Sequence, residues 1–121
     1  LEGYGKKMVE EALKNDIDWR LLPAISIRES TGGIHACKRV KNSHFGFGSC
    51  KINFESTDKE IEIVARNLGG NNPKTSHHYD NKTTKQILQA YNPPSVIPQY
   101  AQQVMKIMDR IDDTIETNDI V

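Results

Sequence analysis

Cysteine is scarce in this chain, with two among 121 residues, so no dense set of disulfides holds the fold together. Charge of one sign is also missing. Sixteen Lys and Arg balance sixteen Asp and Glu, which removes the net field that drives counterion release on nucleic acid or steering to an anionic membrane. No nucleic-acid partner is expected; a neutral or mixed-charge partner fits better. No apolar run approaches the ~20 residues that cross a bilayer, so no membrane span is expected. The opening Leu1-Glu2-Gly3-Tyr4-Gly5-Lys6-Lys7 lacks the apolar centre of a secretion signal. The chain also begins on Leu, and the expectation is a mature form or an excised domain.

What is present is enough for one domain with a single core. Residues 5 to 14 set Met8, Val9, Ala12 and Leu13 on one face of a helix that should end near Asn15. Asp18 is placed to cap a second helix, in which Pro23 lies somewhat deep for a first turn. Leu21, Leu22, Ala24, Ile25 and Ile27 make that helix apolar nearly all round, the pattern of a central, buried element. Gly32, Gly33, Gly46 and Gly48 then break the helical period, and Lys51-Ile52-Asn53-Phe54 alternates as a short strand does. A small β-hairpin lobe is expected there.

Ser56 or Thr57 followed by Glu60 reads as a capping box opening a helix that Gly69 and Gly70 stop, with Ile61, Val64, Ala65 and Leu68 inward. Residues 69 to 82 read as a polar loop. A short helix follows, stopped by Asn92-Pro93-Pro94. A last helix has Pro98 in its first turn and Tyr100, Val104, Ile107, Met108 and Ile111 as its inner stripe. It should run to about Asp113, with 114–121 a fraying tail, so the expected domain is 1–113 and its class is mainly α with a small β part.

Glu29 closes the most apolar helix, just ahead of Ser30, Thr31 and two glycines. Burial disfavours its charged form and the negative end of the helix pushes the same way, both toward the range of a general acid. A solvated glutamate near a helix end, beside Arg28, is the ordinary alternative. Cys37 and Cys50 are expected to pair if the protein is exported, a link closing a short loop that adds ~3 kcal/mol; in the cytosol they would be free thiols. Zinc fits poorly, because His35, Cys37, His44 and Cys50 lack the tight paired spacing of structural zinc sites, and no metal or other cofactor is expected. His77 and His78 beside Asp80 have no third ligand at a suitable spacing. A Cys-His nucleophile would need Cys37 or Cys50 as a thiolate, and neither opens a helix.

The run Leu21-Leu22-Pro23-Ala24-Ile25-Ser26-Ile27-Arg28-Glu29-Ser30, then Phe45-Gly46-Phe47-Gly48, then Tyr91-Asn92, then the helix from Pro98 resembles the lysozyme-like superfamily, in particular its lytic transglycosylase and bacterial glucosaminidase branches. The resemblance covers roughly residues 18 to 111, in order. It implies a lysozyme-like helical domain with the hairpin lobe beside a cleft, acting outside the cytoplasm on the MurNAc–GlcNAc bonds of peptidoglycan strands. It makes Glu29 the catalytic acid and lines the cleft with Ser30, Phe45, Gly46, Phe47, Tyr91 and Asn92. One departure is that Pro93-Pro94 follows Tyr91-Asn92 where a transglycosylase usually has Ala-Gly.

A glycosidic bond can be cut with one carboxyl or two. With one, Glu29 serves as acid and then base, and the substrate's own groups complete a transglycosylase reaction. With two, a muramidase or glucosaminidase needs a second carboxylate, for which Glu55 is the first candidate, followed by Asp58 and Asp80. A glycan-binding module without turnover would use the same cleft. The expected protein is a monomer; its place in a larger cell-wall or secretion assembly stays open.

Overall fold

The computed structural model describes residues 3–32, 45 and 56–120, with side chains for 3–29, 45 and 56–112. Six helices follow one another: α1 (Gly5–Lys14), α2 (Leu21–Gly32), α3 (Thr57–Leu68), α4 (Ser76–Tyr79), α5 (Thr84–Tyr91) and α6 (Tyr100–Ile120). Among the described residues there is no strand. The segment expected to form the β-hairpin lobe, with Cys37 and Cys50, lies outside them apart from Phe45.

Local chemistry accounts for the helix ends. Asn15 closes α1, its backbone N–H and its side-chain amide both donating to the Glu11 carbonyl. Asp18 then heads a turn instead of capping α2 directly: its carboxylate accepts from the Arg20 N–H and its carbonyl from Leu21 N–H. The helix starts at Leu21, so Pro23 falls within the first turn, where a missing N–H leaves no helical bond unmade. Ser56 caps α3 by accepting from Lys59 N–H. The residue placed for a reciprocal capping box is therefore Lys59, and Glu60, expected in that part, instead accepts from the Phe45 N–H. Thr83 and Gln86 form the full capping box of α5.

The core centres on α2, which packs chiefly against α6, with α1 against α2 and α3 and α5 against α6. Leu21, Leu22, Ala24 and Ile25 are fully buried, joined by Ile61, Val64, Ala65, Leu68, Leu88, Tyr100 and Val104. Each such aliphatic side chain contributes about 1.5–3 kcal/mol of burial. Two assignments shift. Leu13 is 73% exposed and Ile27 43% exposed, so α1 turns Met8, Glu11, Ala12 and Asn15 inward, and α2 leaves one edge in water. Asn15 is accommodated because its side-chain oxygen accepts from Asn71 at 3.0 Å.

Antiparallel pairing of α2 with α6 is fixed at both ends. Arg20 holds Asp18 at 2.7 Å and reaches Asp112 and, at 3.9 Å, Asp109 on α6. At the other end Arg28 Nε donates to Gln103 Oε1 at 3.2 Å. Glu29 is thereby set against the first turn of α6. The helix itself continues to Ile120 instead of ending near Asp113, in keeping with a run that holds no glycine or proline after Pro98. Residues 69 to 82 contain α4 and are tied down by Asn67, whose side-chain oxygen accepts from Thr75 Oγ1 at 2.6 Å and Asn72 Nδ2 at 3.1 Å. Gly70, at φ +75°, turns the chain where a side chain would meet the Asp80 backbone.

Candidate active site

Glu29 is half-buried on the last turns of α2, facing α5 and α6. The Tyr100 hydroxyl donates to its Oε1 at 3.2 Å. Burial raises its pKa above the ordinary carboxyl value, against the opposing pull of the Tyr100 hydrogen bond and the Arg28 charge. Burial therefore wins, and the direction is the one a proton donor needs.

Tyr100 is the pivot of the site. It is fully buried, its ring stacks on Tyr91 with centroids 6.2 Å apart, and the Arg28 guanidinium lies over it at 5.2 Å. The Asn92 side chain lies near its hydroxyl and lowers its pKa, against the larger effect of burial. Burial and the neighbouring Glu29 charge keep that hydroxyl protonated, so it remains a donor. Arg28 and Glu29 from α2 and Asn92 from the end of α5 thus gather around one phenol of α6.

Tyr91 makes the second half. Its hydroxyl donates to the Phe45 carbonyl, and burial, with the negative charges of Glu29 and Glu60 adding to it, raises its pKa well above the ordinary phenol value. Phe45 is fully buried, and its backbone N–H donates to Glu60 Oε2 at 3.3 Å. Glu60 is fully buried as well, on the face of α3 that carries Ile61, Val64 and Leu68. One residue of the 33–55 segment is in this way clamped between α3 and α5.

Of the residues singled out in the sequence, the structure brings Glu29, Phe45, Tyr91 and Asn92 together. The side chain of Ser30, and Gly46, Phe47, Glu55, Cys37 and Cys50, lie outside the described residues. Asp58 sits elsewhere, lining a shallow pocket with Tyr4, Lys6, Lys7 and Glu10. Asp80 lines another, of about 150 Å³, with Asp16, Ile17, Tyr79 and Asn81. Neither pocket includes Glu29. The His77 and His78 rings on α4 lie 3.9 Å apart, tilted by 42°, and among the described residues no group of three or more His, Cys, Asp or Glu is arranged to hold a metal. No helix among them is long and apolar enough to cross a membrane.

Two members of the site, Tyr100 and Glu60, were assigned from the sequence to a core stripe and a capping box. Their signals are visible in retrospect. A buried tyrosine, unlike leucine, brings a hydroxyl that has to find a partner. Glu60 lies one and four residues before Ile61 and Val64, on an apolar face where a carboxylate is costly unless it is hydrogen-bonded.

No family model matches the chain, and no curated protein or solved structure is similar to it, so the assignment of the site rests on its own geometry and chemistry.

Proposed function

We propose that the protein cleaves the β-1,4 glycosidic bond between MurNAc and GlcNAc in peptidoglycan strands, in the manner of a lytic transglycosylase, with Glu29 as its single acid and base. The observation that carries the reading is a half-buried carboxyl on the central helix, its pKa raised by burial and one oxygen held by a neutral phenol. Such a group keeps a proton to higher pH than a solvated glutamate and presents its other oxygen for transfer.

In the reaction Glu29 donates its proton to the bridging oxygen as the bond from that oxygen to C1 breaks. The electron-poor C1 is then attacked by the substrate's own C6 hydroxyl, whose proton returns to Glu29. A 1,6-anhydro sugar leaves and the carboxyl is restored. One protein carboxyl suffices, which agrees with the positions of Asp58 and Asp80 beside other pockets and with the full burial of Glu60 under Phe45. Phe45, fully buried, and Tyr91, partly buried, back the site from behind Tyr100, and residues 33–55 would supply the small β lobe, with Cys37 paired to Cys50. The substrate places the protein outside the cytoplasm.

Purified peptidoglycan incubated with the protein and with Glu29→Gln tests the reading. Soluble fragments from the wild type alone, with both proteins sedimenting with the insoluble wall, are the expected result. Binding by both without fragments from either would make the protein a glycan-binding module.

A further inference from the structure

We propose that Tyr100 is the positioning residue of Glu29: its hydroxyl holds Oε1, so that Oε2 is the oxygen that gives and takes the proton. The inference rests on the reading of Glu29 as the acid and adds to it which atom acts and what aims it.

The geometry is specific. A phenol has one hydrogen, and that of Tyr100 points to Glu29 Oε1 at 3.2 Å. The Asn92 amide lies on the other side of the same oxygen, where its dipole pulls the phenol's pKa down against burial. Rotation of the hydroxyl away from Glu29 would lose the bond to Oε1. The ring cannot swing either, since it is fully buried, stacked on Tyr91 and covered by Arg28, which is itself tied to Gln103. The distance is long for an O–H···O bond, as is common in a site without substrate, and leaves room to tighten when a ligand excludes water.

The device also sets the proton balance. Tyr100 donates best to the ionised carboxylate, so it favours the form left after proton donation and opposes burial, which favours the acid. The charged and titratable groups around Glu29 are Arg28 on its own helix, Tyr91 from α5, Tyr100 from α6 and, beyond Phe45, Glu60 from α3. Arg28 acts with Tyr100; the Glu60 charge acts on Tyr91 in the same sense as Glu29 does. Removing the hydroxyl alone leaves Arg28 and the packing in place.

Tyr100→Phe is therefore the test, read first by carboxyl ¹³C NMR titration without substrate, with Glu29→Gln identifying the resonance. An upward move of the Glu29 midpoint in Tyr100→Phe is expected. An unchanged midpoint in Tyr100→Phe would overturn the proposal. On peptidoglycan, Tyr100→Phe should lower kcat on the order of tenfold with KM nearly unchanged, and shift the alkaline limb of the pH profile upward. A rise in KM alone would make Tyr100 a substrate contact and overturn it as well. A wild type without glycan cleavage would refute the proposed reaction, while the titration would still decide what Tyr100 does to Glu29.

Discussion

Glu60 gives the sharpest stability prediction, because a carboxylate without solvent exposure is held in the same clamp as a residue of the candidate site. Truncation by Glu60→Ala removes the acceptor of the Phe45 N–H, a group that is itself fully buried. An orphaned buried donor costs about 1–3 kcal/mol, and the 3.3 Å separation places this bond at the weak end, about 1 kcal/mol. The lost Cγ methylene adds about 0.8 kcal/mol of burial. The sum, roughly 2 kcal/mol, is about a thirtyfold change in the folding equilibrium and lowers Tm by roughly 5–10 °C in a domain of this size. Glu60→Gln keeps an acceptor oxygen and should lose less than half as much. Urea unfolding of the three proteins, followed by far-UV circular dichroism, measures both differences. A Glu60→Ala protein within 0.5 kcal/mol of wild type would show that the carboxylate does not hold Phe45, and the clamp would have to be abandoned.

Two other predictions concern charge. Glu29→Gln should raise stability at neutral pH: an acid whose folded pKa lies above its unfolded value is penalised while ionised, above the folded pKa, and the penalty disappears below the unfolded one. Thermal unfolding should therefore show the variant ahead of wild type at pH 7 and the gap closing toward pH 3; a variant less stable at pH 7 would contradict the burial argument. Asp18 behaves oppositely, its pKa held below the ordinary 3.8 chiefly by the Arg20 hydrogen bond, so its contribution is present above that value and fades as pH falls below it. Arg20→Gln should cost no more than about 1 kcal/mol at pH 7 after solvent screening, with the difference from wild type shrinking below about pH 4; a pH-independent difference would assign the loss to packing instead.

The parts of the fold legible in the sequence are those set by near neighbours. Ser56 marks a helix start within three residues, and Ile61, Val64, Ala65 and Leu68 mark one face of a single helix. Glu29 was legible for the same reason: its place at the end of an apolar helix is a local fact. Leu13 and Ile27 misled because hydrophobicity alone does not fix how a helix is rotated; Asn15, paired with Asn71 fifty-six positions away, decides it for α1. The partners of Glu29 were hidden by distance along the chain. Tyr100 lies seventy-one residues on and meets Glu29 because Arg20, Asp109 and Asp112 at the far end set the register of α2 on α6. Glu60 took the wrong role because Ser56, and not Thr57, caps α3, which moves the reciprocal position to Lys59.

The most direct test of the account is mass spectrometry of the products released from purified peptidoglycan by the wild type and by Glu29→Gln. Anhydro-muropeptides from the wild type that vanish in the variant are the predicted result. Reducing-end products instead would contradict the single-carboxyl reaction and turn the search to a second carboxylate, beginning with Glu55. Soluble products that persist in Glu29→Gln would contradict the central claim, that this carboxyl moves the proton.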